Sequence, residues 1–108
     1  MDVVHTRSKK HFFKVLQTGK RSQTAMMTLR PGEASGPMGN DHPKSEQVLF
    51  VVSGQLVAEI GTKRRALKAG DSVLVRPRAR HRFVNRSKRP AVTFNVYAPP
   101  AYDADEEE

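Results

Sequence analysis

Along this chain apolar and polar residues alternate in short runs, and no helical period is sustained over any length. The pattern predicts strands over residues 12–16 and 23–29. In the second of these, Thr24, Met26 and Thr28 oppose Ala25, Met27 and Leu29, and the two adjacent methionines read as core filler. Residues 30–43 then carry Pro31-Gly32, Gly36-Pro37, Gly39-Asn40 and Pro43, a density of breakers that no regular element survives. Beyond that loop, residues 47–53, 55–60, 63–67, 72–75, 81–85 and 91–98 form six further strand-like runs, separated by Gly, Pro, Asn or Ser. Ser53-Gly54 and Gly61-Thr62 stand at hairpin spacing, and Ala69-Gly70-Asp71 marks another turn. The fold class expected is all-β, a small sandwich or barrel.

The same alternation sets side-chain directions. Gln47, Leu49 and Val51 share one face, and so do His81, Phe83 and Asn85. If Leu49, Val51 and Phe83 are core, then Gln47 and His81 enter the same interior, where an unpartnered polar group costs about 1–3 kcal/mol. Such a pair calls for a ligand, a water or a metal.

Composition narrows the chemistry. The chain has 108 residues, room for one domain, and no cysteine, which excludes disulfides, thiolate nucleophiles and cysteine metal sites. No run in residues 1–13 has signal-peptide or membrane length, so a soluble cytoplasmic protein is expected. Before Ala101 stand all 19 Lys and Arg against six acids, a net of +13, and the five acids of residues 103–108 bring the total to +8. That division predicts a basic-leaning arm (1–11), a folded body (12–100) and an acidic, solvated tail (101–108). The charge alone would draw polyanions, but no aromatic residues interleave with the Arg76, Arg78, Arg80 and Arg82 series, so nucleic acid ranks low as a partner. His5 and His11 read as surface residues of the arm, and the serines lack a nucleophile-elbow context.

Two spaced motifs go further. His42, then Gln47 after four residues, then Gly54 after six more, resembles the first cupin motif, in which His-x-His is followed by Glu or Gln and then by Gly. Gly70, Pro77, His81 and Asn85 fall in order on the second motif, in which Gly, a proline-containing turn, His and Asn recur. Asn40 stands where the first histidine of the family belongs; Arg76 replaces a proline and Arg78 a glycine, whose backbone conformation arginine tolerates poorly, so a reshaped turn is expected there. The resemblance implies a double-stranded β-helix (jelly-roll) barrel, a homodimer, and one divalent transition metal (Zn, Ni, Fe, Mn or Co) near the barrel mouth. Carried over by position, its ligands are Asn40, His42, Gln47 and His81, with Glu46 as a rival to Gln47. Arg78 and Arg80, in the turn at the mouth, are candidates to clamp the anionic group of a small substrate, with Phe83 and Phe94 lining its pocket. The function implied is a metal-dependent enzyme of isomerase or dioxygenase type acting on a sugar-like or carboxylated molecule. The alternative is a non-catalytic cupin that binds or senses a small anion through a degenerate metal site.

Overall fold

A computed structural model describes residues 1–6 and 12–108. His11 and its neighbours in the expected arm lie outside the described residues. The strands are β1 (Phe13–Thr18), β2 (Gln23–Leu29), β3 (Glu46–Ser53), β4 (Gln55–Ile60), β5 (Lys63–Lys68), β6 (Ser72–Val75), β7 (His81–Val84) and β8 (Ala91–Ala98). They form two antiparallel sheets, one ordered β1-β2-β8-β3-β6 and the other β5-β4-β7. This is the expected all-β jelly-roll.

Period-two alternation builds the core. On β3, Gln47, Leu49 and Val51 are buried while Glu46, Val48, Phe50 and Val52 face out. On β8, Ala91, Thr93, Asn95 and Tyr97 point inward. Leu29, Leu49, Val51 and Val75 of the larger sheet thus meet Leu56, Ala58, Leu67 and Phe83 of the smaller one. Each large side chain buried this way contributes roughly 1.5–3 kcal/mol.

Three local expectations are corrected. Gly61-Thr62 closes a β4–β5 hairpin in which Ile60 faces Lys63, but Ser53-Gly54 is no hairpin, because β3 and β4 belong to different sheets. There the chain turns a corner with Gly54 at φ +78°, and a Cβ on that residue would lie 2.3 Å from the Pro90 carbonyl oxygen. Only glycine fits so close an approach at that backbone angle.

The second correction concerns the turn between β6 and β7. Replacing its expected glycine does not reshape it: Arg78 adopts φ +68°, the left-handed conformation the glycine would supply.

The acidic tail is the third. It docks on the edge strand β1, with Phe12 N–H donating to Glu108 O at 2.8 Å, Glu108 N–H to Phe13 O at 2.7 Å, and Val15 N–H to Glu106 O at 3.0 Å. Lys14 Nζ lies 3.5 Å from Glu107. Backbone groups on an open sheet edge need partners, and the tail supplies them, which charge composition alone could not reveal.

Candidate functional site

The tail's docking closes one end of the barrel, and the polar interior lies beneath it. Gln23, 1% exposed at the start of β2, clamps the segment after β8. Its Oε1 accepts from the N–H groups of Ala101 (3.0 Å) and Tyr102 (2.9 Å), and its Nε2 donates to Tyr102 O (2.8 Å) and Thr18 Oγ1 (2.9 Å). Ser45 Oγ donates to Pro99 O at 2.6 Å and anchors the other end of the segment. The Tyr102 ring is thereby set against Phe13, Tyr97 and His42, with centroid separations of 4.8, 5.1 and 6.4 Å.

Gln47 and His81 enter one interior, as the alternation predicted, and His42 joins them there beside Tyr102. All three are buried, and the two imidazole centroids are 4.7 Å apart. His81 Nδ1–H donates to Ala79 O at 2.9 Å, which leaves Nε2 with a free lone pair. Gln47 is held by the strand beside it: its Nε2 donates to Asn95 Oδ1 at 2.9 Å, and Asn95 Nδ2 donates to Thr93 Oγ1 at 3.0 Å. The amide therefore turns Oε1 toward His42, whose Nε2–H donates to it at 2.9 Å. Nδ1 of His42 faces Ser45 O at 3.4 Å. Among the described residues, no buried side-chain nitrogen or oxygen lacks a partner.

Burial also sets the protonation states. Desolvation pulls the His81 pKa below its usual 6.5, with His42 adding to the effect, while the Ala79 carbonyl and the Asp41 carboxylate push the other way. Burial pushes the Tyr97 phenol well above its usual range, and the adjacent Tyr102 phenol and Asp41 reinforce the shift. Tyr102 is raised as well, by burial first. The site therefore presents a neutral His81 and protonated phenols at neutral pH.

The remaining candidates separate. Glu46 points outward and is exposed, so Gln47 and not Glu46 occupies the interior. Asn40 is exposed beside the Gly39–His81 bridge, and the chain offers its amide to solvent. Arg78 and Arg80 are exposed in the β6–β7 turn, and Arg80 Nη2 donates to Met38 O at 3.3 Å, fastening the long loop. Phe83 is core, 5.9 Å from the His81 ring. Phe94 falls between inward-facing Thr93 and Asn95, and stands across from Met26 and Phe50 on the outer face, so it lines no interior pocket. Sequence reasoning missed Asp41, Thr93, Asn95 and the lid role of Tyr102. The period-two spacing of Thr93, Asn95 and Tyr97 was the signal available for the β8 residues.

Among the described residues, no three His, Cys, Asp or Glu side chains converge on a metal position. Two imidazoles and one amide oxygen are what the interior can offer.

Comparison with known proteins agrees with this architecture. The Cupin domain family matches residues 25–97. The uncharacterized protein YrkC of Bacillus subtilis (strain 168) is 30% identical over 101 residues, spanning 88% of this chain and 53% of that protein. The chain therefore spans about half the length of that curated relative. The crystal structure of BH2720 from Bacillus halodurans superposes with a TM-score of 0.85 at 23% identity, covering 93% of this chain and 79% of that one. An uncharacterized conserved protein with a double-stranded β-helix domain from Klebsiella pneumoniae gives 0.74 at 24% identity, covering 92% and 86%. With its sequence match, its two-sheet barrel and the inward His42, Gln47 and His81, the chain belongs to the cupin domain family.

Proposed function

We propose that this cupin binds a small ligand at the closed barrel mouth through a divalent transition metal held by His42, Gln47 and His81. One observation carries the reading: each imidazole has a backbone carbonyl at Nδ1, Ala79 for His81 and Ser45 for His42. Carbonyl partners of this kind orient metal-binding histidines and fix the tautomer that offers Nε2. His81 is already in that tautomer, and His42 reaches it by moving its proton from Nε2 to the Nδ1 that faces Ser45 O. Gln47 Oε1 is then released from its bond to His42 and stays aimed by Asn95. The donor set fits a metal, and two nitrogens with one neutral oxygen favour Zn, Ni or Co over the oxygen-seeking Mn and Fe.

When bound, the metal would supply Lewis-acid polarisation of a ligand oxygen. The chain's own residues then have separate tasks. Tyr97 and Tyr102, held protonated, can donate hydrogen bonds, and Tyr102 with Phe13 shields the site from water. Asn95 and Thr93 hold Gln47 in place. The inward buried polar groups around the site are amides, hydroxyls and imidazoles, which supports binding ahead of proton abstraction; turnover of a sugar-like or carboxylated substrate by the loaded protein is the second reading.

Calorimetric titration of chelator-treated protein with Zn or Ni is expected to show one binding event. His81→Ala abolishes it and Asn40→Ala leaves it unchanged. A flat titration of the wild-type protein overturns the reading.

We also propose that the protein is a cytoplasmic homodimer. The outer face of the larger sheet leaves Val48, Phe50, Val52 and Leu74 between 36% and 47% exposed, with Val48 directly across from Leu74, a continuous apolar patch that a second copy can cover. Phe50→Lys should shift the sedimentation of such a dimer to that of a monomer.

A further inference from the structure

A second cavity lies away from the tail. It occupies about 210 Å³ between β5 and β6, the free edges of the smaller and larger sheets. Its floor is apolar, formed by Ala58, Ile60 and Leu67 on one side and Val73 on the other. Strand register decides which cations reach its rim. Lys63 stands across from Ile60 and Arg65 from Ala58, so both share the inward face of the smaller sheet. Arg64 lines the cavity as well, but it stands across from Glu59, 3.8 Å from that carboxylate, which offsets its charge.

Among the described residues, Lys63 and Arg65 make no ion pair. The acid on the rim, Asp71, has Oδ2 engaged by Lys68 N–H at 2.9 Å. Lys63 and Arg65 against the single Asp71 carboxylate leave a net positive rim over an apolar floor. Ile60 in turn stands across from His81 on β7, so the cavity ends one residue from the mouth imidazole.

We propose that this cavity binds a small monoanion with an apolar body, of the class of short-chain aliphatic and aromatic carboxylates. Arg65 offers a planar fork that matches a carboxylate, and Lys63 adds a point charge beside it. The body lies on Ile60, Leu67 and Val73. The volume is below the roughly 300–1,000 Å³ of sites for drug-sized ligands, which restricts the ligand to a compact one. This site rests on its own cavity and charges, and it stands or falls apart from the metal reading.

The test is titration of the metal-free full chain with benzoate and with hexanoate, followed by amide NMR. Saturable shifts should map to β4, β5 and β6. Benzamide, which has the same body and no charge, should bind about tenfold more weakly or worse, the effect expected of charge-assisted bonds. The Lys63→Gln/Arg65→Gln protein, altered only on an exposed edge, should lose benzoate to the same extent, whereas Arg78→Gln/Arg80→Gln should retain it. His81→Ala should lose metal binding and keep benzoate, separating the two sites. The proposal is overturned if benzamide matches benzoate, if inorganic phosphate produces the same shifts at the same concentration, if the shifts do not saturate, or if the double variant at 63 and 65 binds as well as wild type. In those cases Lys63 and Arg65 serve only to blunt a sheet edge.

Discussion

Replacing Gln23 by Met keeps nearly the same volume and removes every polar contact that Gln23 makes to the C-terminal segment, leaving the Ser45–Pro99 bond and the β1 edge bonds in place. Four hydrogen bonds disappear, those to Thr18 Oγ1, Ala101 N–H, Tyr102 N–H and Tyr102 O. Thr18 is exposed and regains water, so its bond contributes little to the difference. The three backbone groups of residues 101 and 102 are half-buried, and each loses roughly 0.5–1.5 kcal/mol of net hydrogen bonding, for a total of about 1.5–4.5 kcal/mol. Because the segment is terminal, the loss falls first on its docking and only then on global stability.

Two readouts separate these levels. Hydrogen exchange at Glu106 and Glu108, whose N–H groups are bonded in the docked tail, should accelerate by about tenfold or more, since each 1.4 kcal/mol is a factor of ten. Tyrosine fluorescence reports the same event directly, because the chain has no tryptophan and its two tyrosines are Tyr97 and Tyr102, which pack together. Unchanged exchange in the tail together with unchanged tyrosine emission would refute the claim that Gln23 holds the mouth shut.

Other predictions concern the backbone and the charges. Gly54→Ala forces a Cβ into the Pro90 carbonyl at positive φ, and should destabilise by about 2–5 kcal/mol in denaturant unfolding. Arg78→Gly relieves a left-handed arginine, about 1–2 kcal/mol, against roughly 0.5–1 kcal/mol of added chain entropy, so it should be neutral to slightly stabilising; a clear loss of stability would contradict the strain. His81 has a folded pKa below its unfolded value, so its contribution is complete above pH 6.5 and is lost as the pH falls toward the folded value, where the unfolded chain takes up the proton first. Stability should therefore decline on acidification below pH 6.5, and less steeply in His81→Gln. Glu59 is held below the ordinary carboxylate range, chiefly by the 2.8 Å bond from Arg82, against the cost of burial. Glu59→Gln should lower Tm, more at low salt than at high, because Arg64, Arg82 and Arg86 then repel without a counter-charge.

The chain by itself determined the strands and the inward face of each, because pleating forces period two and the apolar residues follow it. Gln47 and His81 could be placed in one interior for that reason, and the spacing of His42, Gln47, Gly54, His81 and Asn85 named the fold. Tertiary structure alone decided what has no local signature. Asn40 stands two positions from buried His42 and Glu46 directly beside buried Gln47, yet one lies in an exposed part of the loop and the other on the outer face, which depends on how the loop meets β7 and on the register of β3. The acidic tail looked solvated because its composition is that of a disordered end, but the β1 edge and Gln23, about eighty positions earlier, supply bonds that composition cannot encode. Lys63 and Arg65, which the strand pattern did not single out, line the cavity between β5 and β6 for the same reason. Whether a charged side chain overhangs a cavity depends on which two strand edges the fold leaves open.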